Sequence, residues 1–331
     1  MDKNRLNQIL SQFPGKKVAV WGDIILDEYV YGNTRRISRE APVLIISYKD
    51  NEFALGGAGN AILNIKALGA IPIPISILGQ DEAGDQVISI LKSRDIYLDY
   101  LIRLKNFQTP QKTRVLAGEE TARKQQILRI DRESSVPDTP ENRKELSDYI
   151  QSAGKKTDAL LISDYHYFTV NRDVFSQTVS IFKEDGQPVS LDSRFRLLEF
   201  PGISVTTPNE PEVEEALKIS LEGDGQAIEK AGTELLDRTQ AEAVLITRGS
   251  KGMSLFENNK PLLNIPIHGA PDIVDVTGAG DTVISVLTLA LTCGASFQEA
   301  AFLANLAGGI VVMKKGTATL EIEELHRAID S

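Results

Sequence analysis

The sequence predicts an α/β fold built on a largely parallel sheet, and two observations carry that expectation. Short apolar runs alternate along the chain with longer stretches of helical periodicity, the order that covers a parallel sheet on both faces. Two of the runs, Ala159-Leu-Leu-Ile162 and Ala243-Val-Leu-Ile246, are apolar without a break, as strands buried on both sides should be. In chain order, strands are expected at 17–21, 73–78, 159–163, 188–192, 204–207 and 243–247. Helices are expected at 59–68, 84–93, 142–154, 172–184, 210–220, 227–239, 281–293 and 297–313. Gly294 provides a stop after helix 281–293, and Ser296 with Glu299 has the spacing of a capping box for 297–313. Both helices are apolar nearly all round and so belong inside the protein. The stretch Ala307-Gly-Gly309 lets another backbone come close. Two segments break the rhythm: 43–48, and the pair 112–117 and 125–130, rich in Arg, Lys and Gln. Together they predict a small accessory sheet, either an edge hairpin or a lid over the carboxyl ends of the parallel strands, where open α/β sheets bind ligands.

The 331 residues suffice for about two domains, or for one long α/β domain, and for burial of about 75% of the chain's surface. There is no internal repeat or low-complexity tract. The net charge of −10 speaks against a general nucleic-acid or anionic-membrane surface. The lone cysteine, Cys293, excludes an internal disulfide and fits a cytoplasmic protein. His166, His268 and His326 are not spaced as zinc ligands. Residues 1–15 lack the apolar core of a signal peptide. The longest uncharged run, 282–298, falls short of the ~20 apolar residues of a membrane span.

Among motifs, there is no P-loop. Gly57-Ala-Gly59 and Gly278-Ala-Gly280 each lack the third glycine of a dinucleotide fingerprint. The most informative segment is Asp275-Val-Thr-Gly-Ala-Gly-Asp-Thr282, which joins a strand-like stretch at 273–276 to an apolar helix. A glycine turn feeding a helix N-terminus presents N–H donors and partial positive charge, a natural phosphate site. Asp281 at its mouth is either the helix cap or a base for an attacking hydroxyl. Asp23 and Asp27 follow the first strand; they are either turn and surface residues or acceptors for the vicinal hydroxyls of a polyol. In Gly56-Gly-Ala-Gly-Asn60, Asn60 is either an N-cap or a ligand-binding amide at a helix start. Asn209 and Glu212 are three apart at another helix start, either a capping box or the mounting for a hydrated Mg²⁺. Thr247-Arg-Gly-Ser-Lys-Gly252 lines a nucleotide or opens a hairpin.

Together these pieces resemble the ribokinase-like (PfkB) carbohydrate kinases. Gly56-Gly-Ala-Gly-Asn60 resembles their N-terminal signature, Asp275–Thr282 their C-terminal signature, and Asn209-x-x-Glu212 their Mg/phosphate motif, in the expected order. The heptose-7-phosphate kinase branch is the most similar. It is matched by Gly22-Asp-Ile-Ile-Leu-Asp27, Ile37-Ser-Arg-Glu-Ala-Pro-Val43, Gln125-Gln126 with Leu128-Arg-Ile-Asp131, Leu161-Ile-Ser-Asp-Tyr165 and Thr277–Ser285. The resemblance implies a ribokinase-like α/β fold over residues 1–331, with lid segments at about 30–50 and 108–132. It implies ATP-dependent phosphorylation of the anomeric hydroxyl of D-glycero-D-manno-heptose 7-phosphate. Asp281 would be the base, and the amides of Gly278, Ala279 and Gly280 the anion hole. Asp23, Asp27, Gly57 and Asn60 would bind sugar. Asn209, Glu212, Thr247, Gly249 and Asn305 would serve ATP, with Glu212 holding Mg²⁺ through water. It further implies a homodimer through the lid and leaves a monovalent-cation requirement open.

The chain departs from the branch at two loops. His166-Tyr-Phe168 stands where a Gly-Lys-Gly-like stretch is expected, and Ser193-Arg194 where Pro-Lys is expected. Arg123, Lys124, Arg194 and Arg196 are the replacement candidates for gripping a sugar phosphate, or are surface charges. The H-x-G-H motif of a nucleotidyltransferase is absent, so a stand-alone kinase is expected. The alternatives are another kinase of the fold, acting on a pentose, hexose phosphate or nucleoside, and a silent sugar-binding regulator.

Overall fold

The computed structural model describes residues 1–118, 124–221, 225–268, 274–314 and 316–330. The chain runs through α1 (Lys3–Leu10), β1 (Lys17–Gly22), β2 (Ile24–Ile37), β3 (Leu44–Gly57), α2 (Ala58–Ala67), β4 (Ile71–Gly79), α3 (Glu82–Ser93) and β5 (Leu101–Leu104). It continues through β6 (Gln111–Gly118), β7 (Gln125–Arg132), α4 (Pro140–Gly154), β8 (Ala159–Asp164), α5 (Arg172–Glu184), β9 (Val189–Ser193), β10 (Val205–Thr206), α6 (Glu210–Leu217) and α7 (Gly225–Thr239). It ends with β11 (Ala243–Thr247), β12 (Met253–Glu257), β13 (Leu263–Ile265), α8 (Ala279–Thr292), α9 (Phe297–Val311) and α10 (Ile322–Asp330).

A nine-stranded sheet has the order β13-β12-β11-β10-β9-β8-β1-β4-β5. Every pairing from β11 to β5 is parallel, and β12 and β13 extend it antiparallel. The uninterrupted apolar strands follow from a core on each face. Val18 and Val20 of β1 enter one core, with Ile62 of α2, Ile284 of α8 and Leu303 of α9. Ala19 and Trp21 enter the other, with Leu146 of α4 and Val174 of α5. Residues 281–290 of α8 are all buried, as an all-round apolar helix requires.

A separate four-stranded sheet has the order β3-β2-β6-β7. Its first part is larger than the expected 30–50, because β2 and β3 pair antiparallel from Ile24 with Gly57 out to Ile37 with Leu44. The second part, β6 with β7, is the expected antiparallel pair. The strand-like 273–276 is not a strand over 274–276, and Ile273 lies outside the described residues. The run expected at 204–207 pairs only over Val205–Thr206, since Pro208 has no N–H to continue a ladder. Helices α1 and α10 were not expected; they pack together at the chain ends through Leu6, Ile9, Leu325 and Ile329. Among the described residues, no helix is long and apolar enough to cross a membrane.

Candidate active site

The turn before α8 is fixed by Asp275, whose carboxylate accepts the N–H groups of Thr277 and Gly316, each at 3.0 Å. Gly278 is the N-cap at φ +77°. A Cβ there would lie 2.4 Å from Asn60 Nδ2, so the position needs glycine for conformation and for space. Of the three amides expected to form the anion hole, one is engaged within the turn. The Ala279 N–H donates to Val276 O at 3.2 Å and is spent on the turn. The N–H groups of Gly280 and Asp281 fall in the first helical turn, where the helix supplies no acceptor. They have no partner among the described residues. A Cβ at Gly280 would meet only Asp192 Oδ2, at 4.0 Å, so the Gly280 backbone faces open space.

Asp281 does not cap α8; it is the third residue of the helix, and its side chain turns into the fold. It is 2% exposed. Asn60 Nδ2 donates to its Oδ2 at 2.9 Å and to Gly278 O at 3.1 Å. The Tyr165 hydroxyl donates to its Oδ1 at 3.1 Å. Burial pushes the Asp281 carboxyl up to about 7; the Asn60 and Tyr165 donors oppose this, and Asp27 and Glu212 reinforce it. Asn60 is likewise no N-cap. Gly57 occupies that position of α2 at φ +58°, and a Cβ on it would press on the Tyr165 ring at 3.2 Å. Asn60 Oδ1 accepts from Asn64 Nδ2 at 3.1 Å, which keeps the amide nitrogen aimed at Asp281.

Asp23 is a correction. It was expected to bind sugar or to sit in a solvated turn, yet it is buried and its oxygens accept the backbone N–H groups of Tyr165, Tyr167 and Thr169 at 2.8, 3.1 and 3.1 Å. Its role is to hold the loop that carries Tyr165. Burial, and repulsion from Asp164, raise its carboxyl to about 6. Asp23→Ala strips three backbone donors of their acceptor, so it should destabilise the protein by several kcal/mol, at roughly 1–3 kcal/mol per orphaned group. A denaturant midpoint equal to wild type would refute the clamp. Asp27 is also buried and ion-paired with Arg114 of β6, and its charge helps to raise the Asp281 carboxyl.

Beyond Asp281 lies a cavity of about 900 Å³. Asn209, Glu212, Thr247, Gly249 and Asn305 all line it, with Tyr165, Asp192, Gly278, Ala279, Gly280 and Asp281. Asn209 and Glu212 form the capping box of α6, with Glu212 Oε2 accepting the Asn209 N–H at 2.9 Å, and still face the cavity. Thr247 bridges to Asn209 in parallel pairing. Gly249, at φ +53°, belongs to the turn joining β11 to β12, as the hairpin reading expects, and it also lines the cavity. Asn305 donates to Pro266 O at 2.8 Å.

The residue missed from sequence is Asp192, at the end of β9. Its carboxylate has no hydrogen bond among the described residues, and burial, then Glu212 and Asp281, push it well above the usual carboxylate range. Burial likewise raises Glu212. These mutually repelling carboxylates fit a divalent cation. Among the described residues no three His, Cys, Asp or Glu side chains are close enough to ligate a metal directly. Of the basic candidates, Arg196 is consumed by the buried Asp164 and by Val170 O at 2.8 Å. Lys124 binds Gly32 O at 2.8 Å and the Asn33 side chain. Arg123 lies outside the described residues. Arg194 lines the cavity.

A family profile described as pfkB family carbohydrate kinase matches residues 15–324. The chain belongs to that family. This sugar kinase is 35% identical over 330 residues to the bifunctional protein HldE of Syntrophotalea carbinolica, covering 99% of the chain and 66% of that protein. It is 38% identical over 323 residues to the HldE protein of Actinobacillus succinogenes, covering 97% and 65%. The chain thus spans about two thirds of the length of these relatives. The kinase also superimposes on Arabidopsis thaliana ribokinase complexed with ribose and ATP, with TM-score 0.72 and 22% identity over 96% of this chain and 99% of that one. The ribokinase-like fold expected from the signatures is therefore the fold observed.

Proposed function

We propose that this chain transfers the γ-phosphoryl group of ATP to the anomeric hydroxyl of D-glycero-D-manno-heptose 7-phosphate. The observation that carries the reading is the Asp281 carboxylate, oriented by two donors beside the unpartnered Gly280 N–H at the edge of a cavity large enough for a nucleotide. The hydroxyl proton passes to Asp281 as its oxygen bonds to phosphorus, and the bond from phosphorus to the ADP oxygen breaks. The Gly280 and Asp281 amides and the dipole of α8 stabilise charge on the transferring group. Asp27, Gly57 and Asn60 form the sugar side, and Asn209, Glu212, Thr247, Gly249 and Asn305 the nucleotide side. Mg²⁺, carried through water by Glu212 and Asp192, would neutralise phosphate charge when bound. The small sheet serves as the lid that excludes water. Its edge strand β7 exposes Ile127, Leu128 and Ile130, which supports a homodimer formed through the lid.

An ATP-consumption assay over a panel of sugars, sugar phosphates and nucleosides tests the assignment. Heptose 7-phosphate should give the highest kcat/KM, with phosphate appearing at the anomeric position by ³¹P NMR. A higher kcat/KM on a pentose, hexose phosphate or nucleoside would replace the acceptor. No ATP consumption with any acceptor would overturn the kinase reading of the site.

A further inference from the structure

The loop after β8 holds two rings in a backbone conformation that does not favour them. His166 and Phe168 have φ of +69° and +68°, the left-handed region that glycine enters freely and a bulky side chain enters only at a cost in free energy. Both rings reach the surface nonetheless. A departure of this kind from ordinary backbone geometry points to a function. The loop starts at Tyr165, whose hydroxyl donates to Asp281 at 3.1 Å, so it is rooted beside the base.

A buried carboxylate ties this loop to the one that follows β9. The Asp164 side chain accepts the His166 N–H at 3.2 Å, the Ser193 hydroxyl at 2.7 Å and Arg196 Nε at 3.2 Å, and the Asp164 carbonyl accepts the Arg194 N–H at 3.0 Å. The Arg196 guanidinium lies 4.8 Å from the centroid of the Phe168 ring and 5.2 Å from that of Phe200, so Phe168 rests on a fixed, ion-paired cation. His166 lies 4.7 Å from Phe168 and 5.7 Å from Phe195, centroid to centroid, the spacing of packed aromatic pairs. Support therefore runs from Arg196 through Phe168 and His166 to Phe195. Phe195 is 53% exposed and lines the same cavity as Tyr165 and Asp281, with Arg194 bordering its ring at 5.4 Å.

We propose that Phe195 is a specificity-determining residue on which the C–H face of the acceptor's sugar stacks, and that His166 and Phe168 are positioning residues that hold its ring. This rests on the reading of Asp281 as the base beside the acceptor, and it makes one unit of the two loops at which the chain departs from the related kinases. The face of an aromatic ring carries partial negative charge. Sugar C–H groups, left positive by their neighbouring oxygens, match such a face, whereas a phosphate is repelled by it. The occupant is therefore the neutral carbohydrate part of the acceptor. An adenine ring could also stack on Phe195, and the experiment separates the two.

Phe195→Leu, Phe195→Tyr, Phe168→Asn and the double variant Phe195→Leu/Phe168→Asn are assayed with ATP and with the sugar or sugar phosphate that wild type turns over best, each varied in turn. Leucine keeps an apolar side chain and removes the ring face, so KM for the acceptor should rise about 5- to 30-fold, with KM for ATP changed by less than about 3-fold. Phe195→Tyr should stay within about 3-fold of wild type. Asparagine tolerates the left-handed backbone but removes the support, and Phe168→Asn should raise the acceptor KM in the same direction. In the Phe195→Leu background it should add less than about 2-fold, because its effect runs through Phe195. An unchanged acceptor KM in Phe195→Leu would overturn the proposal, as would a rise confined to KM for ATP, which would assign the ring to the base. Fully additive effects of the two substitutions would remove the positioning role of Phe168. If the best acceptor is not heptose 7-phosphate, the heptose reading fails while the stacking role is tested on the acceptor found; if no acceptor is turned over, the kinase reading falls and the stacking role with it.

Discussion

Asp281→Asn should fold, lose at least ~10²-fold in kcat, and melt higher than wild type above neutral pH. The two effects share one cause. Burial raises the Asp281 carboxyl from 3.8 to about 7 in the folded chain, against the pull of the Asn60 and Tyr165 donors. Between those values the folded state keeps a proton that the unfolded chain has released. The group's contribution to stability is therefore full below the lower value and is lost as pH rises toward 7. Asparagine carries no charge to desolvate. Its carbonyl can accept from Asn60, and its amide can donate to the Tyr165 oxygen. Above about pH 7.5 its melting temperature should exceed that of wild type by about 2–5 °C, the shift expected for 1–2 kcal/mol in a chain of this size. Wild-type kcat/KM should climb with pH and level off above about 7, where the base is ionised. Residual activity of the variant should lack that rise. Turnover within 10-fold of wild type would remove Asp281 from the base position.

Gly280→Val should cost roughly 10²- to 10³-fold in kcat/KM, the scale of losing an oxyanion donor, with a denaturant midpoint close to wild type. The added side chain meets no protein atom nearer than Asp192 Oδ2 at 4.0 Å, and the backbone there is not in the left-handed region. Valine is no worse than glycine in a helix, so the fold has no reason to object. What valine fills is the space over the Gly280 N–H that a phosphoryl oxygen would need. Full activity with normal stability would show that this amide plays no part in transfer. Gly278 is a different case, since a side chain there collides with Asn60 before any ligand arrives.

The strands expected at 17–21, 159–163 and 243–247 were legible because burial on both faces writes itself as an unbroken apolar run. Helix 172–184 coincides with α5, whose cap Asn171 and apolar stripe are both local signals. β2 was not legible. Its core half passes into Asp27, Glu28, Asn33, Arg35 and Arg36, whose partners lie across a second sheet that no local pattern announces. In the site, the glycine-rich signatures located Asn60 and Asp281, 221 positions apart in sequence yet 2.9 Å apart in space. Tyr165 carried a weaker signal, an aromatic residue directly after a buried strand. Asp23 was misassigned because a carboxylate past a strand end looks the same whether it awaits a ligand or bare loop amides. The path of residues 165–169 decides between them, and that path is a tertiary fact. Asp192 was hidden for a similar reason: its isolation depends on Glu212 and Asp281 arriving from other elements.

The fourteen-residue strands β2 and β3 leave the body of the protein without connecting loops: only Asp23 separates β1 from β2, and β3 runs directly into α2. The ladder between the two strands is interrupted at two places. The register slips between Tyr31 and Gly32 and between Thr34 and Arg36, and any side chain on Gly32 would strike Ile46 Cγ2 at 2.2 Å. The irregularities of the ribbon thus fall in its distal half, while the Asp27–Arg114 ion pair sits where the ladder is regular.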